Sequence, residues 1–208
     1  MQIKSYSLNT HLFISMNNPN IKNIHIDILS DNWYTLNKVS FDQFTPNQGW
    51  QHVEREAYDR GNGAAILLYN SIQKTIILTR QFRMPTYING NKDGMMIEAC
   101  AGLLDDQEPE ECIRKETEEE TGYRVKEVTK VMEAYMSPGS VTEILHLFIA
   151  EYEYKMKINE GGGLSEDHEN IEVMEIHIDE SLQMIKEHKI KDAKTIMLIY
   201  YAIVHKLL

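Results

Sequence analysis

Between Gly102 and Tyr123 the chain reads GLLDDQEPEECIRKETEEETGY: a glycine turn, an acidic loop, and a helix closed by Gly122. Pro109 suits the first helical turn, where a missing N–H costs nothing, and Gly122 suits the left-handed residue that ends a helix. Residues three and four apart share a helix face, so Glu116, Glu119 and Glu120 crowd one side, next to Lys115. Like charges at that spacing destabilise a bare helix, and a hard divalent cation, which takes oxygen ligands, is the simplest compensation. An acidic cluster is ordinarily a solvated face; the flanking glycines and their spacing favour the cation here.

At 208 residues the chain has room for one sizeable core and an accessory segment, but not for two large domains. A net charge of −11 argues against nucleic acid or an anionic membrane as partner, because such contacts need Lys and Arg to neutralise phosphate. A small anionic substrate stays compatible, since a metal ion and a few arginines invert the local field. Cys100 and Cys112 are the only cysteines and lack metal-type spacing, so neither a disulfide framework nor a zinc site is expected. Cys112 lies one turn before Glu116 and is expected to face inward. The N-terminus lacks the basic and apolar regions of a signal peptide, and the apolar run 196–204 is half the length of a membrane span. A cytoplasmic protein with a buried C-terminal helix is the reading.

Residues 1–24 are polar and Asn-rich, an extension without clear pattern. Alternation predicts strands over 26–36, 38–44 and 52–58, with Asp31-Asn32 and Asn47-Gln48-Gly49 as turn chemistry. Apolar runs at 64–69 and 75–80 read as a hairpin, and 95–99 as a short strand. The acidic helix covers 110–121. Strands are predicted at 126–135 and 144–154, either side of the Ser137-Pro138-Gly139 turn, and at 173–178. Gly161-Gly162-Gly163 reads as a flexible loop, and 181–188 and 193–205 as helices. Strands layered with a few helices define an α/β domain.

The 102–123 run resembles the Nudix box, G-x5-E-x7-R-E-U-x-E-E-x-G-U. Glu116, Glu119, Glu120, Gly122 and Tyr123 match its second half in register, with Lys115 where Arg is usual and Thr117 at an apolar position. The first half departs: in register, the opening glycine falls on Ala101 and the loop glutamate on Gln107. Gly102 and Glu108 restore the spacing only if one residue is missing before the helix. Further segments resemble the branch of the family that acts on GDP-mannose: SDNWYTL at 30–36, REAYDRGNGA at 55–64, TRQFR at 79–83, EACAGLLD at 98–105, YMSPGSVTE at 135–143 and DAKT at 192–195.

The resemblance implies an α/β/α sandwich with a mixed sheet over 61–208, preceded by a small N-terminal β segment, 25–60, used to form a homodimer. It implies Mg2+, with Mn2+ as a substitute, held by Glu116, Glu120, the Ala101 carbonyl and Glu169, while Glu119 holds Lys115. It gives the role of general base to Glu143, with Glu169 as the competitor. Substrate contacts map onto Trp33, Glu54, Arg55, Glu56, Arg83, Ala101, Gly102, Glu143, His168 and Lys194. Arg83 can offer paired donors to phosphate, Trp33 can stack on a base, and Glu56 can accept from base or sugar donors. His168 stands where the family carries a carboxylate. The activity implied is hydrolysis of a nucleoside diphosphate sugar, GDP-mannose to GMP and mannose 1-phosphate, with ADP-ribose as the alternative. A catalytically silent nucleotide-sugar sensor is the reading of another class; it predicts loss of the metal glutamates, and Glu116 and Glu120 are intact.

Overall fold

The computed structural model describes residues 17–164 and 170–208. The chain divides into two compact units, Met1–Asp59 and Arg60–Leu208.

The first unit is an antiparallel meander of β1 (Ile21–Asp31), β2 (Thr35–Thr45) and β3 (Gly49–Asp59). The strand break predicted after residue 36 falls instead at 32–34. There, Asn32 Nδ2 donates to Ser30 Oγ at 2.9 Å and Thr35 Oγ1 to Asp31 Oδ1 at 3.1 Å, local bonds that close the turn. β1 begins at Ile21, inside the stretch read as an extension, and carries two register shifts against β2. No described residue of this sheet is buried, and Ile28, Leu29, Trp33, Phe44 and Trp50 are exposed.

In the second unit, strands β4 (Gly63–Asn70), β5 (Thr75–Phe82), β6 (Met95–Glu98), β7 (Cys100–Leu103), β8 (Thr129–Tyr135), β9 (Ile144–Glu151) and β10 (Glu172–His177) form one mixed sheet. Its backbone order is β10-β5-β4-β9-β8, with β4 parallel to β9 and the other pairs antiparallel. The predicted β4–β5 hairpin pairs only at its closed end, Leu68↔Ile77 to Asn70↔Thr75. Beyond it β6 takes over the pairing with β5 and β7 that with β4. β7 had no signal of its own, being four residues long and held by its register rather than by its pattern.

Among the described residues four α-helices accompany the sheet: α1 (Met84–Ile88), α2 (Pro109–Thr121), α3 (Ile178–Lys186) and α4 (Ala193–Val204). Ala65, Leu67, Leu147 and Ile149 share one cluster with Leu198, Ile199 and Ala202 of α4, while Ala64, Ile66, Leu68 and Phe148 share another with Ile113 of α2. Covered on both faces, β4 reads as a continuous apolar run rather than an alternating one. The α/β class with a separate small sheet is the one expected. α3 starts three residues early because the His177 ring accepts from Asp179 N and two acids fill the first turn. β9 stops at Glu151, where a 3-10 turn at Tyr154–Met156 replaces the predicted strand end.

Candidate active site

α2 lays Cys112, Ile113, Thr117, Glu120 and Thr121 inward. Glu120 is only 3% exposed, and its Oε2 accepts from Ala101 N at 3.3 Å, fastening the helix to β7. One turn earlier, the Glu116 carboxyl lies against Gly102: a Cβ there would sit 2.3 Å from Glu116 Cδ. A side chain at position 102 would push the Glu116 carboxyl aside, so glycine there lets the helix carboxylate lie against the strand. The loop that follows turns through Asp105 (φ 41°) and Asp106 (φ 70°), with Gln107 N bonded to Leu104 O. Aspartate is among the few residues that tolerate this left-handed conformation. On the outer face Lys115 Nζ pairs with Glu119 Oε2 at 3.2 Å, as expected.

Cys112 is buried as predicted, its Sγ donating to Leu103 O. Burial, with Glu116 nearby, pushes its thiol up to about 11, and burial, with Glu120, pushes Cys100 well above the usual range. Both thiols are protonated near neutral pH, which weighs against either acting as a nucleophile.

Asn62 joins the strand ends that frame this spot. Its carbonyl accepts from Leu104 N, just past β7, and its Oδ1 accepts from Ile144 N, the first residue of β9. Glu143 is thereby held at the mouth of β4: a Cβ on Gly63 would meet Gly102 O at 3.1 Å and Glu143 Oε1 at 3.4 Å. Arg60 Nε stands 3.5 Å from the same Glu143 oxygen. Glu116, Glu120 and Glu143 thus gather around the Ala101–Gly102 backbone.

A second group brings the expected Arg83 and Lys194 together on Glu98, which sequence reasoning did not single out. Arg83 Nε donates to its Oε1 at 3.1 Å and Arg83 Nη2 to its Oε2 at 3.0 Å, while Lys194 Nζ reaches Oε2 at 3.1 Å. Lys194 also pairs with Asp192 Oδ1 at 3.0 Å. Burial alone would raise the Glu98 carboxyl, but Lys194 and Arg83 outweigh it and hold it at about 2. Lys194 is therefore placed in a nearly buried ion network rather than on open surface. The available signal was Asp192 three residues before Thr195, an N-cap spacing: Asp192 Oδ2 accepts from Thr195 N, and Thr195 Oγ1 accepts from Ala99 N.

The triple glycine is a built strap rather than a flexible loop. Gly162 N donates to Glu120 O and Gly163 N to Glu119 O, satisfying carbonyls at the open end of α2. All three glycines have positive φ, and a Cβ on Gly161 would fall 2.4 Å from Glu120 O. The strap leads toward residues 165–169, so His168 and Glu169 lie outside the described residues.

Trp33, Glu54, Arg55 and Glu56 belong to the N-terminal unit. Trp33, in the β1–β2 turn, is 86% exposed with its ring edge-on to Tyr34. Glu54 pairs with Lys38 Nζ at 2.7 Å, and Arg55 Nη1 donates to Glu54 O.

Among the described residues no three His, Cys, Asp or Glu side chains close on one point. The donor set nevertheless fits a hard divalent cation: two carboxylates one helical turn apart, set against a strand whose glycine leaves room for one of them.

A family model described as "NUDIX domain" matches residues 59–198, and one described as "GDP-mannose pyrophosphatase NudK N-terminal domain" matches 20–58. The chain belongs to the Nudix family of hydrolases, whose members generally use divalent metal ions. It is similar to the GDP-mannose pyrophosphatase of Yersinia enterocolitica, 54% identical over 90% of this chain and 97% of that protein. The GDP-mannose pyrophosphatase of Pectobacterium atrosepticum is 56% identical over 85% of this chain and 91% of its own length.

Proposed function

We propose that this hydrolase splits the pyrophosphate bond of GDP-mannose, releasing GMP and mannose 1-phosphate. The gathering of Glu116, Glu120 and Glu143 around Ala101–Gly102 carries this reading, and the names of the relatives favour the substrate. Glu116, Glu120 and the Ala101 carbonyl would hold Mg2+, which when bound absorbs negative charge on the phosphoryl oxygens. Glu143 accepts the proton of the attacking water, whose oxygen bonds to phosphorus as the bridging P–O bond breaks. Arg83 donates to the phosphates through the guanidinium nitrogen outside its pair with Glu98. Trp33, with its exposed ring, stacks on the base. A homodimer in the cytoplasm completes the reading: the N-terminal sheet presents uncovered Ile28, Leu29, Phe44 and Trp50, and both cysteines are free thiols. Among the described residues no helix is long and apolar enough to cross a membrane.

The test is turnover with Mg2+ across GDP-mannose, ADP-ribose and NADH, with products separated by chromatography. Preferential release of GMP from GDP-mannose is expected. Preference for ADP-ribose would keep the mechanism and change the substrate, and no turnover of any of them would favour a sensor.

A further inference from the structure

Glu98 is a buried carboxylate of the catalytic unit held by two cations, yet nothing in the hydrolytic chemistry calls on it. Its side chain is 5% exposed and takes three N–H donors from two cations far apart in sequence. Burying a carboxylate this way is costly unless its partners are well placed, so the arrangement constrains the partners as much as the acid. The two-pronged bond fixes the plane of the Arg83 guanidinium and leaves Nη1 outside the pair; the Arg83 side chain is still 41% exposed. Lys194 is fixed between Glu98 and Asp192, with one of its three N–H groups beyond those two bonds.

The same carboxylate bears on the metal-ligand strand. Glu98 closes β6 opposite Thr79, whose Oγ1 donates to the Glu98 carbonyl. The next residue, Ala99, is latched to Thr195, and Ala101 to Glu120. The backbone running from Glu98 to Ala101 is therefore fastened at Glu98, Ala99 and Ala101, Glu98 being the point where the cations attach.

We propose that Glu98 is a positioning residue: it holds Arg83 and Lys194 in fixed orientation beside the glutamate pair, and through Arg83 sets how firmly a diphosphate is gripped. This rests on the proposed hydrolysis of GDP-mannose. Pre-aimed donors lose less freedom on binding than donors that must first be ordered. Releasing them weakens the grip on substrate before it touches proton transfer at Glu143.

The test is a double-mutant cycle of wild type, Glu98→Gln, Arg83→Ala and the pair, reading KM and kcat for GDP-mannose alongside the melting midpoint. Glu98→Gln is expected to raise KM roughly ten- to a hundredfold while kcat changes far less. In the Arg83→Ala background the same change should add little to KM, because its effect runs through Arg83. KM effects that multiply independently, or an unchanged KM in Glu98→Gln, would overturn the proposal. Should the glutamine variant not fold, Glu98→Asp keeps the charge but withdraws it by one methylene; a wild-type KM there would overturn it equally. Wild type inactive on GDP-mannose would instead bring down the functional reading, so the two failures are told apart by the first member of the cycle.

Discussion

Gly102 and Glu116 are fitted to one another so closely that a single added methyl group would occupy the carboxylate's place, 2.3 Å from Cδ. The glycine is required for the helix carboxylate to lie against the strand, not for a turn, since Gly102 is not among the residues of positive φ. What the methyl group would displace is the end of a flexible side chain rather than backbone.

Gly102→Ala should therefore leave the fold standing and move Glu116. Activity at limiting Mg2+ is expected to fall, with metal affinity weakened about 10–100-fold, the usual cost of disturbing a ligand's supporting contacts. A metal titration of activity, run beside a thermal melt, checks it. A large loss of stability with normal metal dependence would contradict the assignment of Glu116.

At Gly161 the obstacle is backbone. With φ at +69° and a Cβ destined for 2.4 Å from Glu120 O, alanine meets both torsional strain and a clash that no rotamer relieves. Gly90 is a useful control: φ is +93°, and a Cβ there meets nothing within 4 Å. Both alanine variants bear the torsional cost of about 1–2 kcal/mol. Only Gly161→Ala should lose more, at about 2–4 °C of melting midpoint per kcal/mol for a chain of this size. Equal midpoints would show that the strap does not bear on α2.

The contrast between these glycines explains how far the sequence could be read. The acidic helix was legible because i, i+4 spacing and a terminal glycine are local signals, and Pro109–Thr121 lies within one residue of the predicted span. The gathering of Glu116 and Glu120 at β7 was legible only through resemblance, since β7 has no pattern of its own. Glu98 escaped notice because its partners, Arg83 and Lys194, are 15 and 96 residues away, and no periodicity links them. The triple glycine was misread for a related reason. Glycine marks a loop and a tight approach alike, and only the neighbouring helix end distinguishes them.

Glu143→Gln should lower turnover by roughly two to four orders of magnitude if that side chain takes the proton. Its carboxylate sits beside Arg60 and Gly63 with little exposure, so glutamine fits the same volume, and the melting midpoint should change little. Single-turnover kinetics with saturating Mg2+ isolate the chemical step. A loss of only a few-fold would transfer the role to Glu169.

Acid should act on stability through Glu98. Its carboxyl is held at about 2 in the fold against an ordinary 4.5, because Lys194 and Arg83 outweigh its burial. A depressed carboxylate stabilises the fold fully above its unfolded pKa, and that contribution disappears as pH falls through the folded value. The window is therefore pH 4.5 down to about 2, and the depression corresponds to about 3 kcal/mol. Exposed pairs such as Glu118–Arg124 add little, being screened by water. In Glu98→Gln, which lacks the titrating group, stability should start lower at neutral pH and decline less steeply across this window. Denaturant melts of both proteins at intervals from pH 6 to pH 2 should thus give curves that converge toward acid. Curves that stay parallel would mean that Glu98 is not held below its ordinary range, and that the two cations draw their counter-charge from Asp192 instead.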